Sequence, residues 1–135
     1  MADSLDLTLV TPERSLIDEK VDEIQVPGLD GYLGLLSGHA PLFSELHVGE
    51  LLYKLKGESY SISIANGFVE VLEDKVRILA DIAEAANEID IERAMQARHR
   101  AEALIAGGGD DVDYPRAIAA LARATVRIKV ATKCR

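Results

Sequence analysis

The sequence predicts a β-rich domain followed by two helices. Up to about residue 86, apolar and polar side chains alternate in short runs punctuated by Gly and Pro, which indicates an antiparallel β-sandwich or barrel. From residue 89, apolar residues recur every three or four positions, as on one face of a helix. The charge changes at the same point: residues 1–88 hold 17 acidic and 6 basic residues, whereas residues 89–135 hold 6 acidic and 9 basic. We therefore divide the chain into a β-sandwich domain, residues 1–86, and an α-helical hairpin, residues 87–135.

The strands are predicted from alternation with a period of two. Six runs show it: 5–10, 21–26, 51–56, 59–64, 68–72 and 76–82. Between the second and third runs, residues 31–42 contain three glycines and Pro41 among leucines. Pro41 fixes its own φ and favours an extended residue before it. This segment is expected to be a shaped, apolar turn.

Two helices are predicted beyond residue 88. Asp90 is a plausible N-cap of the first, which three consecutive glycines, 107–109, should end. Asp113 can cap the second, and Pro115 is tolerated in its first turn. A short connection favours an antiparallel hairpin. The expected packing faces comprise residues 91, 94, 95, 98, 101, 104 and 105 of the first helix and residues 118, 121, 122, 125 and 128 of the second.

Alanine is frequent in both predicted helices. Alanine favours helix but buries little area, so the hairpin should pack with only moderate strength. Such packing suits an element that detaches. The alternative is that small residues simply allow two helices to approach closely.

Composition excludes several classes of function. The chain of 135 residues has a net charge of −8, which argues against a nucleic-acid partner. It contains no run of about 18 apolar residues, and no signal peptide is expected from residues 1–4. The single cysteine, Cys134, excludes an internal disulfide and is expected to be an idle thiol. Neither a catalytic motif nor a metal-binding cluster of Cys or His is visible, so no enzyme and no metal are expected.

Four arginines of the predicted hairpin stand at helical spacing. Arg93 and Arg100 are seven residues apart, and Arg123 and Arg127 are four apart, so each pair shares a helix face. If these faces meet, the four guanidinium groups converge and favour a polyphosphate, since Arg suits bidentate phosphate contacts. The alternative is that Asp90 only caps its helix and the arginines face water or another subunit.

Residues 31–42 resemble the G-x-L-G-(I/L)-L-x-G-H-x-P-L segment of the epsilon-subunit family of F-type ATP synthases, called delta in mitochondria. The resemblance continues through 7–12, 21–28, 65–71, 76–80, 89–94 and 110–114 and covers nearly the whole chain. It implies a ten-stranded antiparallel β-sandwich followed by a two-helix hairpin.

The resemblance also implies a function. A member of this family would be a non-catalytic rotor component of the central stalk, peripheral to the cytoplasmic face of the bacterial membrane. Its sandwich would bind the gamma subunit and the c-ring, coupling proton flow to ATP synthesis. Its hairpin would extend towards the catalytic alpha and beta subunits and inhibit ATP hydrolysis. The implied subunit-interface residues are Tyr32, where many relatives carry Glu, and Ser37, His39, Pro41, Leu42 and Arg116.

Some bacterial members bind ATP through an (I/L)-D-x-x-R-A motif, which resembles residues 89–94 of this chain. The resemblance implies an ATP site on the folded hairpin, with carboxylates near the adenosine and arginines near the phosphates. No cofactor would be required, and ATP would be a regulatory ligand. Arg14, on the sandwich, is expected to take no part. The implied ATP-binding residues are Glu84, Asp90, Arg93, Arg100, Arg123 and Arg127.

Two other functions remain open from the residues alone. One is a free-standing nucleotide-sensing module whose output is not the synthase. The other is a carbohydrate- or peptide-binding β-sandwich, which should expose an aromatic platform. Only 4% of residues are aromatic, which weighs against the second.

Overall fold

The computed structural model describes residues 4–133. Eight strands come first: β1 (Leu5–Val10), β2 (Ser15–Val21), β3 (Glu23–Gly28), β4 (Gly31–Leu35), β5 (Leu42–Leu46), β6 (Gly49–Leu55), β7 (Glu58–Leu72) and β8 (Lys75–Ala85). A single 3₁₀ turn, Ala86–Glu88, leads to α1 (Ile91–Gly107) and α2 (Tyr114–Ala131). Cys134 lies outside the described residues. Within residues 4–133, no helix is both long and apolar enough to cross a membrane.

The strands hydrogen-bond in the order β2-β1-β8-β7-β5-β3-β4, and β6 pairs with both β3 and β7. All eight contribute side chains to one apolar core, including Leu7, Val26 and Ile78. The predicted class, a β-sandwich followed by two helices, is confirmed. One pairing departs from the antiparallel prediction, because β1 runs parallel to β8. These strands are distant in sequence, so no tight turn fixes their relative direction.

The described residues contain eight strands rather than the expected ten, because β7 and β8 are long and β7 continues through a bend. β7 pairs with β6 along its first half and with β5 along its second. The bend lies at Asn66 and Gly67, which both have positive φ. A Cβ at position 67 would overlap the carbonyl oxygen of Leu79, so the close approach of β8 requires glycine there. The runs predicted over 59–64 and 68–72 are thus one strand.

The segment 31–42 is only partly the turn that the sequence predicts. Residues 31–35 form β4, which pairs with β3, and the turn is confined to residues 36–41 before β5. Gly31 has a φ of 136°, a conformation that L side chains rarely adopt, and it lies directly opposite Gly28. The glycines therefore serve a tight β3–β4 connection as well as the later turn.

The hairpin follows the predicted caps, but its packing faces match those predicted only in the first helix. Asp90 and Asp113 accept hydrogen bonds from the backbone N–H groups of Arg93 and Arg116, each at 3.1 Å. These caps are confirmed. The residues that the hairpin buries are Ala94, Ala101, Ala117, Ala124 and Val130.

Several larger side chains of the predicted faces, including Met95, Leu104 and Ile118, remain exposed. Buried alanines seven residues apart let the helices approach closely, so the bulkier side chains lie outside the interface. The prediction therefore holds for Ala94 and Ala101 of α1, whereas the residues that α2 buries lie outside its predicted face. α2 lies against β6, β7 and β8, and α1 packs on α2.

Candidate functional site

A groove of about 1180 Å³ lies between the hairpin and the sandwich. The sheet contributes residues of β7 and β8, and both helices contribute one face. All six residues implied for ATP binding line this groove: Glu84, Asp90, Arg93, Arg100, Arg123 and Arg127. Helical spacing places each arginine pair on one helix face. The packing of α1 on α2 then brings both pairs to one cavity.

Arg127 is the arginine of this set that already has a carboxylate partner. Its Nε donates to Glu84 Oε1 at 2.8 Å and its Nη2 donates to Glu84 Oε2 at 3.3 Å. This fork-to-carboxylate geometry fixes both side chains. It also joins α2 to β8, so Arg127 and Glu84 hold the hairpin against the sandwich.

The other arginines that line the groove have no such partner. Within residues 4–133, no carboxylate lies at ion-pair distance from Arg93, Arg100, Arg116 or Arg123. Arg116, implied for a subunit interface, thus lies on the groove with the ATP-binding set. Unpartnered guanidinium groups around one cavity repel one another unless an anion enters. The groove is accordingly suited to a polyanion.

Most carboxylates of the groove, by contrast, already hold a donor. Asp90 and Asp113 cap helices, and Glu84 holds Arg127. Glu88 accepts from Arg14 at 2.5 and 2.9 Å and from the backbone N–H of Ala85 at 2.9 Å. The lining therefore contains both signs of charge, but its acidic groups are largely engaged and its basic groups are largely free.

Glu88 and Arg14 are functional candidates that the sequence reasoning missed. The hydrogen bond from Arg14, then that from Ala85, holds the pKa of Glu88 below its ordinary value, against a smaller opposing effect of desolvation. The same Glu88 contact raises the pKa of Arg14. Arg14 therefore orients a groove carboxylate, whereas its expected lack of effect on ATP binding stays a prediction. Because 74 positions separate Arg14 from Glu88, no local pattern in the sequence indicates that they pair.

A second set of implied residues lies at the turn after β4. Ser37 Oγ and the backbone N–H of Gly38 both donate to Asp74, at 3.1 and 2.7 Å, so the β7–β8 turn fixes this loop. His39 Nδ1 lies 2.7 Å from the carbonyl oxygen of Ala40. Tyr32 Oη accepts from the backbone N–H of Glu50 at 3.0 Å while half of the residue stays exposed.

The remaining members of that set differ in exposure. Pro41 is exposed, whereas Leu42 is half-buried and packs on the core. The structure therefore brings Tyr32, Ser37, His39, Pro41 and Leu42 to the β3–β4–β5 region. Arg116 is apart from them, in the first turn of α2.

An exposed apolar row crosses the sheet on its outer face. Phe43 and Phe68 stack with ring centroids 5.5 Å apart, and Phe68 lies directly opposite Leu79. All three are exposed. The alternation in β7 and β8 could have revealed this row, since these apolar side chains fall on the otherwise polar face. This exposed apolar row is a candidate interaction surface.

Known proteins share this architecture. Residues 4–86 match the ATP synthase delta/epsilon chain β-sandwich domain, and residues 87–132 match the long α-helix domain of the same family. The chain is 49% identical to the ATP synthase epsilon chain of Solibacter usitatus over 98% of its own length and 99% of that protein. It is 46% identical to that of Syntrophobacter fumaroxidans, with the same coverage of both chains.

Among solved structures, a chain of the Euglena gracilis mitochondrial ATP synthase, in a complex described as OSCP/F1/c-ring, superposes with a TM-score of 0.82. The two are 25% identical, and the match covers 97% of this chain and 82% of that one. The protein belongs to the ATP synthase delta/epsilon chain family. The family resemblance predicted from the sequence is confirmed, as is the prediction of a non-catalytic subunit. Among residues 4–133, no three His, Cys, Asp or Glu side chains are placed to hold a metal ion.

Proposed function

We propose that this protein is an ATP-responsive rotor subunit of the central stalk of an F-type ATP synthase. The observation that carries the proposal is the groove between hairpin and sandwich, in which free arginines from both helices converge. This groove exists only while the hairpin is closed. A ligand that fills it would stabilise the closed form to the extent that it binds that form better than the open one.

The assembly part of the proposal is supported by the names of the relatives and by the F1 and c-ring complex that contains the structural neighbour. The proposed partners are the gamma subunit, the c-ring and the catalytic alpha and beta subunits. The protein would be peripheral to the cytoplasmic face of the membrane and would transmit rotation driven by proton flow. The loop held by Asp74 and the row of Phe43, Phe68 and Leu79 are the surfaces offered to gamma and the ring.

A matched pair of histidine substitutions tests the assembly surface. His39→Asp should weaken the coupling of proton flow to ATP turnover in membranes, because it places a charge on the proposed contact loop. His47→Asp is the control, since His47 is exposed in the turn between β5 and β6. The isolated variants should remain folded by circular dichroism. Equal coupling in the two variants would contradict the proposed contact.

The nucleotide part of the proposal is supported by charge and size. The volume of about 1180 Å³ exceeds that of most small-molecule pockets and accommodates a nucleoside triphosphate. Arg93, Arg100 and Arg123 would bind the phosphates, and Arg127 is already oriented by Glu84 at 2.8 Å. Glu84 and Asp90 would lie near the adenosine, as the family resemblance implies. No other cofactor would be required.

The regulatory part of the proposal concerns an open form of the protein, in which the hairpin extends away from the sandwich. With the hairpin extended, Arg116, Arg123 and Arg127 would approach acidic segments of the catalytic subunits and inhibit ATP hydrolysis. ATP would oppose this by holding these arginines in the groove. In the assembled enzyme, removing residues 89–135 should raise ATP hydrolysis. Unchanged hydrolysis would contradict an inhibitory hairpin without affecting the assignment of the sandwich to the stalk.

Calorimetric titration of ATP tests the groove directly. Arg93→Ala and Arg123→Ala should each weaken binding about ten- to a hundred-fold, because each removes charge-assisted hydrogen bonds of roughly 1.5–3 kcal/mol. Arg77→Ala is the control, because Arg77 is an exposed arginine of β8 that does not line the groove. Absence of binding by the parent protein at millimolar ATP would contradict the nucleotide site. Failure to co-purify with gamma would favour a free-standing nucleotide sensor.

A further inference from the structure

Three polar residues form one row across the sheet beneath α2. Glu50 of β6 lies directly opposite Ser63 of β7, and Ser63 lies directly opposite Glu84 of β8. Residues directly opposite in antiparallel strands project from the same face. We call Glu50, Ser63 and Glu84 the docking row. Its two carboxylates bind cations of α2: Glu84 binds Arg127, and Glu50 binds Lys129 and Lys133.

The spacing of the docking row matches the spacing of its partners on the helix. Two strand separations place the backbones of Glu50 and Glu84 about 10 Å apart. Residues 127 and 133 differ by six positions, a rise of about 9 Å if the helical geometry continues. The helix and the row therefore present their charges at the same interval, so both ends of the row are engaged at once.

Glu50 is the unusual member of this row. Its side chain is 3% exposed, whereas that of Glu84 is 25% exposed. It is the one charged residue that is buried within residues 4–133. Its Oε2 accepts from Lys133 Nζ at 2.5 Å, and Lys129 Nζ lies 3.4 Å from Oε1. A buried carboxylate is costly unless it is paired and hydrogen-bonded, and here both cations come from the end of the hairpin.

Burial alone would raise the pKa of Glu50, but hydrogen bonds from Lys133 and Ser61 and the charges of Lys133 and Lys129 hold it below its ordinary value. The docked lysines of α2 therefore favour the ionised form of Glu50. The groove does not include Glu50, Lys129 or Lys133, so a ligand there would leave this cluster intact. The cluster is a separate fastening of the hairpin.

We propose that Glu50, Lys129 and Lys133 form a latch that fastens the C-terminal end of α2 to the sandwich and sets how often the hairpin opens without nucleotide. The inference rests on the proposed function in one respect, since a latch has a role only if the hairpin opens. Opening separates both lysines from Glu50 together, and no other ion-pair partner of Glu50 occurs in the described part of the chain. The latch therefore stabilises the closed form alone.

Hydrogen exchange of the full-length protein without nucleotide tests the latch. Glu50→Gln keeps the shape of the side chain but removes its charge and one of its two acceptor oxygens, and Lys133→Gln removes the main partner. In both variants, α2 amides should exchange about tenfold faster, the loss expected for one charge-assisted hydrogen bond. Amides of β1 and β2 should not change, because neither strand pairs with β6, the strand that carries Glu50.

Glu23→Gln is the matched control. Glu23 of β3 pairs with Lys54 of β6 at 2.9 Å, so both partners belong to the sandwich. This variant should leave α2 exchange at the parental rate. In the double variant Glu50→Gln/Lys133→Gln, the acceleration of α2 exchange should be much smaller than the product of the two single accelerations. Both substitutions break the same interaction, so their effects are not additive.

Two results would overturn the latch. One is unchanged α2 exchange in Glu50→Gln. The other is equal acceleration of α2 and of β1–β2, which would make Glu50 a support of the whole fold. Both are independent of ATP binding and of hydrolysis by the assembled enzyme, so failure of the latch is distinguishable from failure of the proposed function.

Discussion

The sandwich and the hairpin of this protein are held together by different forces. The fully buried side chains of the sandwich are large, among them Leu5, Leu9 and Leu51, and they come from every strand. The hairpin buries four alanines and Val130. Since stabilisation by burial scales with apolar area, the sandwich has a core of its own and the hairpin depends on its contacts.

The surface that joins the two regions is correspondingly polar. Beneath α2 the sheet buries Glu50, Ser61 and Ser63, and the contacts across the junction include the ion pairs of Glu50 and Glu84. Detachment of α2 would therefore expose buried polar side chains to water. A domain built in this way can release its hairpin without losing its core, which the following predictions test.

The largest expected effect is in the sandwich core. Leu7 is fully buried in β1, so Leu7→Ala should lower the free energy of unfolding by about 2–5 kcal/mol through lost burial and the resulting cavity. Leu79→Ala is the control, because Leu79 is 58% exposed on β8. Denaturant unfolding followed by circular dichroism measures both. A similar loss in the two variants would show that the core is not the main source of stability.

A smaller and more local effect is expected at the alanine interface. Ala124 is buried in α2, and Ala124→Leu should overpack the site and weaken hairpin docking by about 1–3 kcal/mol. Ala119→Leu adds the same atoms at an exposed position of the same helix. Hydrogen exchange should show faster α2 amides in the first variant only, with sandwich amides unchanged. Faster exchange throughout the chain would mean that the two regions unfold together.

The sequence predicted the fold class and the caps because these depend on local patterns. Alternation in β1 and the polar caps Asp90 and Asp113 need no knowledge of distant residues. The length of β7 was not predictable in this way, since the bend at Gly67 depends on how closely β8 approaches it. The six residues that the resemblance implies for ATP binding line one groove, but their ligand stays a prediction.

Contacts between the regions were beyond local reasoning. Glu50 alternates onto the polar face of β6 with Lys54 and would ordinarily be read as solvent-exposed. It is buried because α2, more than 60 residues later, covers that face. The pairing of Arg14 with Glu88 likewise joins distant positions. A sequence pattern specifies which face a residue occupies, whereas its burial depends on which element docks there.

Acid should loosen the hairpin before the sandwich. The pKa of Glu50 is lowered in the closed form, so its contribution is complete above the ordinary Glu pKa of about 4.3. The contribution is lost as the pH falls through the lowered value. NMR titration should show α2 amide shifts changing below about pH 4.3 in the parent protein and much less in Glu50→Gln. Identical profiles would exclude Glu50 as the acid-sensitive contact.

The smallest expected effect is that of removing the hairpin from the sandwich altogether. A chain ending at Glu88 keeps the core, the 3₁₀ turn and both Arg14 hydrogen bonds to Glu88. It should unfold cooperatively as a β protein and still bind gamma. A chain ending at Ala86 lacks Glu88, and its denaturation midpoint should be slightly lower, because Arg14 then loses its partner and the N–H of Ala85 loses its acceptor. If both truncated chains were disordered, the sandwich would depend on the hairpin for folding. The two regions would then differ in how they pack, but neither would fold independently.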